Sequence, residues 1–136
     1  MSTAPDLEHL WTAAGLIAGF QLTAFTIRIN RAIGLGDQKK TARLPPADYV
    51  NLVSWAIILL GVFAAPISGL YGEVIAAKVL GFSFTLLACY PFSLAAHYEL
   101  FNYRERSFET FPFQEKVGIA VTGILGLAYI PLVTLR

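Results

Sequence analysis

Residues 49–72, YVNLVSWAIILLGVFAAPISGLYG, run for 24 positions between Asp48 and Glu73 without one Asp, Glu, Lys or Arg. A helix needs about 20 mainly apolar residues to cross ~30 Å of hydrocarbon. This stretch is therefore long enough to span a bilayer, and it is not alone. Uncharged gaps of 19 residues between Glu8 and Arg28, 20 between Lys78 and Glu99, and 19 between Lys116 and Arg136 repeat the pattern. A soluble helical core would need amphipathic outer helices, and none of the four segments has a charged face. The expected fold class is all-α: an integral membrane four-helix bundle. It forms a single transmembrane domain over 1–136, with helices near 9–30, 49–68, 73–99 and 115–135.

Composition agrees. Of the 136 residues, 56% are hydrophobic and only 14% charged, against roughly 25% charged in an average soluble domain. A net charge of +1 provides no field to attract nucleic acid. One cysteine excludes an internal disulfide framework.

Basic residues set the expected orientation. Arg28, Arg31, Lys39, Lys40 and Arg43 follow the first span, and Arg104, Arg106 and Lys116 follow the third. The other side holds only Lys78 and Arg136. Loops 31–48 and 100–114 are therefore expected in the cytoplasm and both termini outside, most simply in a plasma (inner) membrane. No basic region precedes the first apolar run, so a cleavable signal peptide is not expected. Gly34, Gly36, Pro45 and Pro46 are expected to stop the first helix and start the second. Residues 66–72 are expected to form a tight hairpin.

Within lipid, apolar burial does not drive helices together, so small residues that permit close approach matter more. Thr12, Gly15, Gly19, Thr23 and Thr26 fall on one face of the first helix, and Gly15–Gly19 is a literal GxxxG. Gly118, Thr122 and Gly126 form a similar line on the fourth helix. Gly15, Gly19, Thr23, Gly118, Thr122 and Gly126 are thus the candidate packing seam, within the chain or between subunits.

Few residues offer chemistry. Gln21 lies near the middle of the first span, off its glycine face. Cys89, Tyr90 and Ser93 surround Pro91 in the third. Gln21, Thr26, Tyr90 and Ser93 are candidates for a small polar pocket or a pore lining, against the plainer role of interhelical hydrogen bonding. Asp48, Glu73 and Glu115 stand at helix starts, where carboxylates suit the dipole, and Lys78 is expected to snorkel outward. Arg28, Arg31, Lys39, Lys40 and Arg43 are candidate contacts for anionic lipid. His97 with Glu99, Glu105 and Glu109 has no recognised metal-ligand spacing, and His9 lies a membrane thickness away. Neither a phosphate loop, a dinucleotide fingerprint, a CxxC nor a nucleophile elbow occurs. No metal and no cofactor are expected.

The leading expectation is a non-catalytic protein: a packing or accessory subunit of a membrane assembly, or a self-assembling one. Its partners would be the bilayer and either copies of itself or other membrane subunits. The alternative is a homo-oligomeric channel or small transporter with an uncharged polar pore. A membrane enzyme using His97 and loop carboxylates at the inner interface ranks third.

Overall fold

The computed structural model describes residues 6–39, 44–98, 100–101 and 111–134, with side chains at all of these except 32 and 35–39. Its elements are helical: α1 (Leu7–Lys39), α2 (Pro46–Ile67), α3 (Glu73–His97) and α4 (Phe113–Thr134). Four helices, Leu7–Arg31, Pro46–Ile67, Glu73–His97 and Phe113–Thr134, are long and apolar enough to cross a membrane. At 1.5 Å per residue they are about 33–38 Å long.

Consecutive helices run antiparallel: contacts Trp11–Val62 and Arg28–Asp48, Asp48–Tyr90 and Ser54–Ser83, and Lys78–Val133 and His97–Glu115 rise along one helix as they fall along the next. Helix α3 packs against both α2 and α4, and α1 lies on α2 and α3. Large apolar side chains cover the outside, among them Leu16, Phe20, Leu60, Phe92, Leu127 and Leu132, each more than two-thirds exposed. That surface suits lipid rather than water.

Gly34 and Gly36 do not stop the first helix; α1 runs through both to Lys39. A mid-helix glycine costs only about 1 kcal/mol relative to alanine, too little to end a helix that its neighbours continue. Pro46 opens α2 as its first residue, where its fixed φ fits and its missing N–H is no loss. The α2–α3 turn closes on Gly69, whose φ of +73° a side chain would disfavour.

Helix α2 is not uniform. Residues Ile58–Ala64 form a π-helical segment just before Pro66. Proline has no N–H to offer the carbonyls of Val62 or Gly61, four and five residues back. Both carbonyls are taken by side chains instead. The Trp11 indole Nε1 donates to the Val62 carbonyl at 3.0 Å, and the Tyr71 hydroxyl to that of Gly61 at 2.5 Å. The widened turn also sits against α3, where a Cβ on Gly61 would overlap Val79.

The interior divides in two along the bundle. Toward the α2–α3 turn it is apolar, with Leu10, Ala14, Ala18, Ile58, Val62 and Ala76 buried together. Toward the other end it is polar, with Gln21, Asp48, Asn51, Ser54, Ser83, Ser93, Glu115 and Thr122 buried.

Candidate functional site

The polar half is built from two rows of residues at helical spacing. Asp48, Asn51 and Ser54 follow one another at three-residue steps along the buried face of α2. Ser83, Tyr90, Ser93 and His97 follow the inward face of α3 over 14 positions, about 21 Å of rise. Helices α1 and α4 supply Gln21, Arg28, Glu115 and Thr122.

Two carboxylates organise this half. Asp48 lies in the first turn of α2 and is fully buried. Its Oδ1 accepts the Tyr90 hydroxyl at 2.8 Å and Arg28 Nε at 3.4 Å; its Oδ2 accepts Arg28 Nη2 at 3.2 Å. Arg28 Nη1 donates to the Tyr98 hydroxyl at 2.5 Å. Asp48 thus joins α1, α2 and α3. Glu115 lies in the first turn of α4 and is also fully buried. Its Oε1 accepts the backbone N–H of Ala47 at 2.8 Å, and its Oε2 lies 2.8 Å from His97 Nδ1. The first turn of α2 has no side-chain cap of its own. Glu115 supplies one from another helix, satisfying an N–H that the helix itself leaves free. Glu115 thus joins α2, α3 and α4.

Burying a carboxylate without a partner costs several kcal/mol, so these contacts are what permit both to be inside. Each also stands at the positive end of its own helix. His97 and Glu115 resemble a base held by an orienting acid, yet among the described residues no hydroxyl or thiol is hydrogen-bonded to that ring. No group of three potential metal ligands occurs among the described residues. Glu99, Glu105 and Glu109 lie outside them.

Deeper in, Gln21 Nε2 donates to Ser54 Oγ at 2.8 Å, Ser54 Oγ to the Ser83 carbonyl at 2.8 Å, and Ser83 Oγ to the Ser54 carbonyl at 2.7 Å. Beyond this level the apolar cluster begins. No family model matches the chain. Nor does any curated protein or solved structure.

The residues singled out from sequence fall into separate groups. Gln21, Tyr90 and Ser93 are buried, but in different contacts: Ser54, Asp48 and Thr122 respectively. Thr26 is exposed and bonds the Leu22 carbonyl of its own helix. It does not share a lining with the other three. Gly118, Thr122 and Gly126 face α3; a Cβ on Gly118 would press on the Ser93 backbone, and one on Gly126 on Phe82. Gly15, Gly19 and Thr23 face outward, and a Cβ on either glycine would meet nothing within 4 Å. The buried line of α1 is the neighbouring one: Leu10, Ala14, Ala18 and Gln21.

Among the basic residues, Arg28 is turned inward to Asp48, with its side chain only 13% exposed. Arg31 is exposed beside the Tyr98 ring. The Lys39 side chain, Lys40 and Arg43 lie outside the described residues. Lys78 Nζ donates to the Val133 carbonyl at 2.7 Å, near the end of α4. Asp48, Glu115, Asn51, Ser54 and Ser83 were absent from the candidates. The signal for Asp48, Asn51, Ser54 and Ser83 is the three-residue polar rhythm of α2 and the polar row on α3; Glu115, in the first turn of α4, has no such row.

Proposed function

We propose that the protein is a non-catalytic helix-packing subunit, which joins a membrane assembly through the outward face of α1. The observation that carries this reading is the open space over Gly15 and Gly19. Glycine in a helix costs about 0.5–1 kcal/mol relative to alanine, and among the described residues no atom fills the room it leaves. Helix α4 illustrates the same device when covered: Gly118 and Gly126 lie against α3. On α1 the hydroxyls of Thr12, Thr23 and Thr26 bond their own helix's carbonyls. The face therefore presents a shallow, hydrogen-bond-satisfied channel beside the exposed ridge of Leu16, Phe20 and Ile27. A second transmembrane helix fits such a channel by close backbone approach.

The full pairing of the buried charges supports a structural role for them. The apolar half of the interior weighs against a water path through a single chain.

The test is native mass spectrometry of the chain extracted in lipid nanodiscs together with whatever accompanies it. The expected result is an assembly of more than one polypeptide that Gly19→Leu reduces to a folded monomer. A wild-type chain found alone, or an assembly unaffected by Gly19→Leu, overturns the reading.

A further inference from the structure

Lys78 is a cation set inside a span with no carboxylate beside it. It follows the first turn of α3 and is half-buried. The ion pairs among the described residues are His9–Asp6, Arg28–Asp48 and His97–Glu115, and none includes it. An ammonium has three N–H groups to donate. One goes to the Val133 carbonyl, in the last turn of α4, where helix carbonyls have no partner of their own. No other acceptor meets Nζ among the described residues. Side chains lean toward the N-terminus of their helix, and Val133 is one residue short of the end of α4. The ammonium therefore stands near the end of the bundle, at the depth where ~30 Å of hydrocarbon gives way to headgroups.

Two apolar clefts meet at this point. One, of about 590 Å³, has walls of Ile75, Val79 and Phe82 from α3 and Ile130 from α4. The other, of about 450 Å³, runs beside Leu132. Lys78, Tyr129 and Val133 line both. Ile75 and Ile130 are each 48% exposed and Leu132 is 68% exposed, so both clefts open toward lipid. Tyr129 is fixed by its hydroxyl, which donates to the Lys78 carbonyl at 3.1 Å and occupies the room that Gly81 leaves.

We infer that Lys78 and these two clefts bind one phospholipid of net negative charge, its phosphate on Lys78 Nζ and one tail in each cleft. Charge sets the first limit, since an ionisable group within a span is kept with a partner, and a single ammonium balances a single negative charge. Depth sets the second: at the end of the bundle the anion within reach is a lipid headgroup. Shape sets the third. Two clefts that share one cation fit two tails on one phosphate, whereas a fatty acid would fill only one of them. From Ile75 to Phe82 the larger cleft follows α3 for about 10 Å, about two-thirds of the hydrocarbon depth of one leaflet.

The experiment adds palmitoyl-oleoyl phosphatidylglycerol to the full-length chain in detergent, and separately the phosphatidylcholine with the same tails. Lipid-bound states are read by native mass spectrometry. The expected result is one phosphatidylglycerol bound about fivefold more tightly than phosphatidylcholine, a preference that Lys78→Gln abolishes. Glutamine keeps a donor for the Val133 carbonyl. Lys116→Gln, an exposed position at the opposite end of α4, should leave the preference intact. Oleate is expected to bind more weakly than phosphatidylglycerol, and inorganic phosphate not at all. Equal affinity for the two phospholipids overturns the inference, as does a preference that survives Lys78→Gln or oleate binding as tightly as phosphatidylglycerol. Location is read on the unaltered chain, with a phosphatidylglycerol carrying a diazirine in one tail. Crosslinks to residues 75–82 and 129–134 are expected. Crosslinks confined to other segments overturn the inference even if Lys78→Gln does not fold.

Discussion

Replacing Gly15 and Gly19 together by alanine separates what the chain needs from what an assembly needs. A Cβ at either position meets no atom within 4 Å, so the substitution has no steric cost inside the chain. Each replacement removes the backbone entropy penalty of glycine, about 0.5–1 kcal/mol in a helix. The two sites are one helical turn apart, so the gains sum to at most about 1–2 kcal/mol of monomer stability. Between packed helices the sign reverses. Two methyl groups inserted into a close backbone crossing overpack it, a perturbation of typically 1–3 kcal/mol. The assay has two arms on one preparation. Reversible unfolding by SDS in mixed micelles, followed by circular dichroism at a dilution where the chain is monomeric, reads the first quantity. Native mass spectrometry in nanodiscs reads the second. A stabilised monomer with a weakened assembly is the expected pair of results. A destabilised monomer would refute the reasoning, because it would mean the glycines serve contacts within the chain. The internal control is Gly81→Ala, whose Cβ would overlap the Tyr129 hydroxyl. That hydroxyl donates to the Lys78 carbonyl, and the variant should lose stability in the same assay.

Three further outcomes follow from the buried polar contacts. Arg28→Leu leaves Asp48 without its counter-charge and should cost about 3–5 kcal/mol by SDS titration, whereas Arg28→Leu with Asp48→Leu should recover most of that loss. Glu115→Leu, which strips both the Ala47 N–H and His97, should destabilise more than Glu115→Gln, which keeps an acceptor for the N–H; equal losses would show that the capping contact contributes nothing. Trp11→Phe removes the donor that Pro66 makes necessary at the Val62 carbonyl, and should cost about 1–3 kcal/mol in the same unfolding measurement.

The four spans were legible because a charge gap is a local property: 19 to 24 uncharged residues identify a span without reference to any other. The site was much less so, because each of its charges had a sufficient local explanation. Asp48 and Glu115 stood at helix starts, and Arg28 at a helix end; nothing in their neighbourhoods required a partner on another helix. Helical rhythm was the available sign. Asp48, Asn51 and Ser54 form a polar line on a helix that is otherwise apolar, and such a line in a span has to face the interior. The choice of face on α1 was harder. Gly15 and Ala14, or Gly19 and Ala18, are one residue apart, and both lines are made of small residues. Only the position of Gln21, in register with Ala14 and Ala18, distinguishes the inward line. The end of α1 was misjudged because glycine weakens a helix without terminating it.

Asp48 and Glu115 also have a consequence for how the helices find their places. In a bilayer, smooth apolar cylinders can slide past each other with little to choose between heights, and each interhelical hydrogen bond contributes only about 0.6 kcal/mol. A slip of α4 along α3 by one turn, about 5.4 Å, would carry Glu115 away from both His97 and Ala47. The same slip of α2 would strand Asp48 away from Arg28 and Tyr90. Each wrong height leaves a carboxylate alone in a poorly solvating interior, at a cost of several kcal/mol. The two acids thus act as notches on a ruler: they add modestly to the right arrangement and exclude its near neighbours.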